Sequence, residues 1–87
     1  MNVNELREVL EEKRVLIEGK WELLEFDSVG VVCGVEEMGD LLVITLENQS
    51  KFVGRVTRVV YEDSNTLDFI STTPEGNEIV VFRVKPL

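Results

Sequence analysis

The chain has 87 residues and carries 17 acidic against 9 basic side chains, a net charge of −8, which excludes a generally basic surface of the kind that draws nucleic acid or anionic membrane. A chain of this size buries about 60–65% of the surface its unfolded form exposes, so it supports one core and one domain, residues 1–87. With 44% apolar and 30% charged residues it excludes a disordered composition and leaves cations or basic proteins as the electrostatically favoured partners.

The opening MNVNELREVLEEKR is charged and lacks the apolar run of a signal peptide, and no apolar stretch is long enough to cross a bilayer. A cytoplasmic location with no membrane partner is therefore expected. Leu6, Val9 and Leu10 recur at helical spacing among Glu5, Arg7, Glu8, Glu11 and Glu12, which predicts a helix over residues 3–13. Asn2 followed by Glu5 resembles a capping box. The apolar stripe runs on through Ile17 to a terminating Gly19; a break near Arg14 with Val15, Leu16 and Ile17 extended is the other reading.

Beyond Gly19 the pattern turns to strands: 21–26, 29–35, 41–46, 52–61, 66–71 and 79–84. Leu42, Ile44 and Leu46 alternate, as do Leu67 with Phe69, and Val80, Phe82 and Val84, and these are the expected core faces. Trp21 is also expected in the core. Gly39-Asp40, Asn48-Gln49-Ser50 and Thr73-Pro74-Glu75-Gly76 carry turn chemistry. Every gap is too short for a crossover helix, so neighbouring strands should be antiparallel. The expected fold is α+β: one N-terminal helix packed on a curved, mainly antiparallel sheet of about six strands.

In such a meander alternate turns emerge at the same end. That parity would gather Glu36, Glu37 and Asp40 with Glu62 and Asp63, and Asn65 as a neutral oxygen donor, with no Lys or Arg inside either turn. Carboxylates crowded in this way repel one another, and a hard cation relieves the repulsion. Calcium, which takes irregular oxygen sets, is the expected ion, with magnesium second. Asp63-Ser64-Asn65 begins like an EF-hand loop, but Leu67, Asp68 and Pro74 break the pattern, so affinity on the order of 10⁻⁴ to 10⁻³ M is expected.

The stretch 41–84 resembles the Sm-like family of RNA-binding rings through Phe52-Val53-Gly54-Arg55-Val56, then Val59 and Asn65-Thr66-Leu67. That resemblance implies a strand bent at Gly54 and an Asn65 that hydrogen-bonds an unstacked base. The chain departs from the family signature at Arg83-Val84, where an Arg-Gly pair is the pattern. Glu62 and Asp63 would face the phosphates, so nucleic acid is not an expected partner. In size, acidity, helix-then-sheet order and the segments MNVNELREVL and GNEIVVFRVKPL, the chain is also similar to small uncharacterised acidic proteins of methanogenic archaea, a resemblance that implies no activity.

No histidine is present, which removes the commonest general base and the His-activated nucleophiles. Cys33, the single cysteine, sits in Val31-Val32-Cys33-Gly34-Val35 and is expected as a buried core thiol. A non-enzymatic, monomeric binding domain is expected, with no catalytic residues. The alternative to cation binding is a protein-interaction module that uses its acidic face on a basic partner or an edge strand, 66–71 or 79–84, on an extended one.

Overall fold

The computed structural model describes residues 2–21, 24–63 and 65–87; the side chains of Lys20, Trp21 and Leu24 fall outside the description, and with them the expectation that Trp21 is core. Helix α1 (Val3–Leu10) starts where the capping residue predicts: Asn2 Oδ1 accepts the backbone N–H groups of Asn4 (3.0 Å) and Glu5 (3.3 Å). Leu6 and Leu10, one turn apart, enter the core, and Val3 and Val9 pack beside it.

The helix is shorter than its apolar stripe. Glu11 is extended and Glu12 left-handed (φ 67°), and residues 15–17 belong to a strand, β1 (Arg14–Trp21). Val15 and Ile17 are β-branched and point inward at alternate positions, both fully buried, which a continued helix would not allow. Sheet-like bonds take over at the break, from Glu12 N–H to Val32 O (2.8 Å) and from Val32 N–H to Lys13 O (2.9 Å).

Six further strands follow: β2 (Leu24–Met38), β3 (Leu41–Leu46), β4 (Lys51–Arg55), β5 (Arg58–Asp63), β6 (Thr66–Thr72) and β7 (Glu78–Pro86). They form a seven-stranded sheet of order β4-β3-β2-β1-β7-β6-β5 in which every neighbouring pair is antiparallel. The count differs from about six for two reasons. The segment 52–61 is two strands, cut at Val56-Thr57, and residues 21–26 hold the end of β1 and the start of a β2 that continues through Asp27-Ser28. The predicted turns are present: Gly39 (φ 65°) and Gly76 (φ 88°) supply left-handed positions that residues with a Cβ avoid, and Gly76 N–H closes on Thr73 O at 2.9 Å.

β4 and β5 lie at opposite ends of this order, yet only Val56 and Thr57 join them. Thr57 ties the crossing to β6, donating its N–H (2.7 Å) and its hydroxyl (3.1 Å) to Ile70 O. The seven strands do not form a clearly curved sheet of the expected kind, but rings from strands far apart in the order meet. Phe26 stacks on Phe52, Phe52 meets Phe82 edge-on, and Phe82 meets Phe69, with centroids 6.0, 6.1 and 6.4 Å apart. All four phenylalanines of the chain thus form one run, from half-exposed Phe26 to fully buried Phe69. Gly54 leaves room for it: a Cβ there would sit 3.0 Å from Phe82 Cζ.

Leu42, Ile44, Leu46, Leu67, Phe69, Phe82 and Val84 are buried as their alternation predicts. Val80 and Cys33 are not. The β6–β7 register slips between Phe69 and Ile70, so Val80 faces outward at 43% exposure and Val81 packs on the core instead. A second slip, between Val32 and Gly34 against β3, turns Cys33 to solvent.

Candidate functional site

The six residues expected to hold a cation are dispersed. Glu36 and Glu37 lie on the last residues of β2, and Asp40 in the following turn, where it is paired with Arg55 of β4 at 2.8 Å. Asp40, Glu37, Arg55 and Thr57 border one shallow recess, at the start of β5. Glu62 and Asp63 end β5, and Asn65 follows, its N–H bound to Asp63 Oδ1 at 2.6 Å. From Arg58 to Asp63 an extended strand covers about 17 Å, so the parity expected of a simple meander does not bring the two turns together. Among the described residues no group of three or more Asp, Glu or Cys side chains is placed to hold a metal ion.

The edge strands also differ from expectation. β6 is enclosed between β5 and β7 and offers no edge. β7 is enclosed only in part. Its pairing with β1 runs from Pro86 opposite Val15 to Phe82 opposite Gly19 and stops there, whereas its pairing with β6 continues to Glu78. Residues 78–81 therefore have a ladder neighbour on one side only among the described residues.

A cleft of about 640 Å³ opens along this stretch, lined by Glu18 and Gly19 of β1, Glu25, Phe26 and Asp27 of β2, and Val80 to Arg83 of β7. The volume lies within the range of about 300–1,000 Å³ typical of ligand sites. Gly19 makes it possible: a Cβ there would overlap the Phe26 ring, which lies across the glycine and forms the outer end of the phenylalanine run. The described lining is an aromatic floor, an aliphatic strand edge and a rim that holds Glu18, Glu25, Asp27 and Arg83.

That guanidinium is already committed. Arg83 Nε donates to Asp68 Oδ1 (2.7 Å) and Nη2 to Oδ2 (3.1 Å), a fork-to-fork pair across β6 and β7. The Arg83 bond holds the Asp68 carboxyl below the usual carboxylate range against the opposing effect of its burial. Lys85 Nζ reaches Glu18 Oε1 at 3.3 Å on the same outer face. The described lining has no nucleophile beside a base; what it offers is charge and contact area.

The sequence reading missed this cleft because its parts are ordinary strand residues on three elements. The one local sign is Gly19, which vacates the next inward position after Val15 and Ile17. No family model matches the chain, and neither a curated protein nor a solved structure is significantly similar to it.

Proposed function

We propose that the protein is an interaction module that takes an extended segment of a partner protein onto the start of β7. The observation that carries this reading is that residues 78–81 have a ladder neighbour on one side only among the described residues, beside an aromatic-floored cleft. Backbone groups along an open strand edge supply hydrogen bonds to any extended chain, and the adjoining cleft receives alternate side chains. Exposed Ile79 and Val80 add apolar area at the same place.

The test is an amide-resolved titration with short peptides of basic, neutral and acidic composition. Saturable shifts confined to Gly19, Phe26 and residues 79–82 are the expected result. A saturable response of residues 36–40 and 62–65 to millimolar calcium, with no peptide response, would replace this reading with cation binding at Glu36, Glu37, Asp40, Glu62, Asp63 and Asn65.

A further inference from the structure

The chain divides at Val56-Thr57 into two sets of strands, β1 to β4 with α1, and β5 to β7. Several polar contacts stay inside one set. Arg7 bonds Val35 O and Arg55 pairs with Asp40 in the first; Arg58 pairs with Glu78, Arg83 with Asp68, and Thr57 bonds Ile70 O in the second. Across the division the sets share an apolar core and the β1–β7 ladder, with Lys85 reaching Glu18 beside it. Val15, Ile17, Ile44 and Phe52 of the first set are buried in that core with Phe69, Phe82 and Val84 of the second.

The link between the sets differs from the turns inside them. Gly39, Gln49 and Gly76 hold left-handed positions in their turns, and the side chains of Asn48 and Thr73 accept backbone N–H groups there. Val56 and Thr57 are both β-branched, neither has a positive φ, and residues 52–61 read as one continuous strand in the sequence. The bend at Thr57 is thus imposed by the packing of one set on the other, while its own residues favour extension.

From this we infer that the chain forms a strand-exchanged dimer with a second copy of itself, in which Val56-Thr57 straightens and β7 of each copy pairs with β1 of the other. Complementarity fixes the partner. A released β5–β7 set exposes Phe69, Phe82 and Val84, and the surface that matches its register, from Phe82 opposite Gly19 to Pro86 opposite Val15, is β1 of this same sequence. Every contact along that ladder is recovered in the exchanged form, so the balance turns on the link and on concentration. Val56 is buried at the bend, and its removal from the core keeps the single copy favoured in dilute solution. A short link holds the two sets at an effective concentration in the millimolar range, so exchange competes at about millimolar protein. The charge of −8 on each copy acts between the two closed units and not at the ladder, so salt favours exchange. Each cleft would then take Glu18, Gly19 and residues 25–27 from one copy and residues 80–83 from the other. This exchange is independent of what the cleft binds.

The experiment unfolds the full chain in urea and refolds it at about 10 μM and at about 1 mM, with size-exclusion chromatography and light scattering as the readout. A dimer should appear at the higher concentration and increase several-fold when salt is raised from about 0.05 to 0.5 M. It should persist for hours after dilution, because release requires half of the fold to open. Exchange is read directly with Leu16→Cys and Lys85→Cys on a Cys33→Ser background, since these two positions face each other on β1 and β7 at a separation that a disulfide spans. After oxidation of the separated folded fractions, the dimer should run as a covalent dimer on a non-reducing denaturing gel and the monomer as a single chain. Inserting Gly-Ser-Gly between Val56 and Thr57 should lower the dimer yield at least about tenfold, because a longer link lets each chain close on itself.

A single copy at both refolding concentrations overturns the inference. So does a dimer whose crosslink stays within each chain, or one whose yield is indifferent to the insertion, because surface contact then holds it. Wild type and the insertion variant decide the matter without cysteines if the double-cysteine variant does not fold.

Discussion

Replacing Asp68 by Asn keeps the shape of the side chain and removes its charge. Asp68 is 2% exposed, lying just beneath the outer surface, and both its oxygens are held by Arg83. Breaking a fully buried ion pair from one side costs about 3–5 kcal/mol. The Arg83 side chain is 43% exposed and can rehydrate, so the loss here should be nearer 1–2 kcal/mol. Unfolding entropy near 2.1 cal/mol/K per residue over 87 residues converts this to a fall in Tm of about 5–11 °C at pH 7. The pH dependence has a defined sign. The folded carboxyl titrates below its unfolded value near 3.9, so its contribution is complete above that pH and disappears as pH falls through the folded value. Calorimetric Tm values for wild type and Asp68→Asn should thus stay apart by a constant interval from pH 5 to 8 and converge below about pH 4. A double-mutant cycle with Arg83→Gln should show that the two losses are not additive. An unchanged Tm at pH 7, or an interval that persists undiminished at the lowest pH, would refute the reasoning.

Gly54→Ala would bring a Cβ against a Phe82 ring held by Phe52 and Phe69; overpacking of about 1–3 kcal/mol should exceed the 0.4–1 kcal/mol gained from a stiffer unfolded chain, and urea unfolding should show a net loss. Leu10→Ala, at a fully buried helix position, should cost about 2–4 kcal/mol by the same assay. Cys33, exposed at its bulge, should react completely with an aromatic disulfide reagent in the folded protein; labelling only in denaturant would contradict its placement. Calcium should shift amide resonances uniformly with ionic strength and leave Tm unchanged, since the six candidate oxygen donors are dispersed; a localised, saturable response would count against this.

The parts legible in the sequence are those set by neighbours in the chain. The Asn2 cap, the Gly39 and Gly76 turns and the burial of Leu42, Ile44 and Leu46 on β3 depend on residues within a few positions of one another, and all are present. The misreadings arise where a distant strand decides. Val15-Leu16-Ile17 continues a helical stripe on paper, and only the pairing of β1 with β2 and β7 makes it extended. Nothing in Val56-Thr57 resembles a breaker, so β4 and β5 read as one strand. Cys33 and Val80 change faces through bulges, which leave no compositional mark. The cleft was hidden for the same reason: its edge exists because β1 and β7 part after Gly19 and Phe82, a property of the pairing.

The pairing of β1 with β7 also has a kinetic meaning. Strands β1 to β4 and strands β5 to β7 are two runs of adjacent hairpins, and among the described residues only the β1–β7 ladder bonds one run to the other. That seam, which Leu87 N–H extends by donating to Arg14 O at 2.8 Å, closes the longest loop in the molecule. Loop closure of that span is slow, so each run can zip early while their union sets the folding rate. In native-state hydrogen exchange the amides along the seam should mark the boundary between two cooperative units, and any load that pulls Arg14 away from Leu87 would separate the molecule there first.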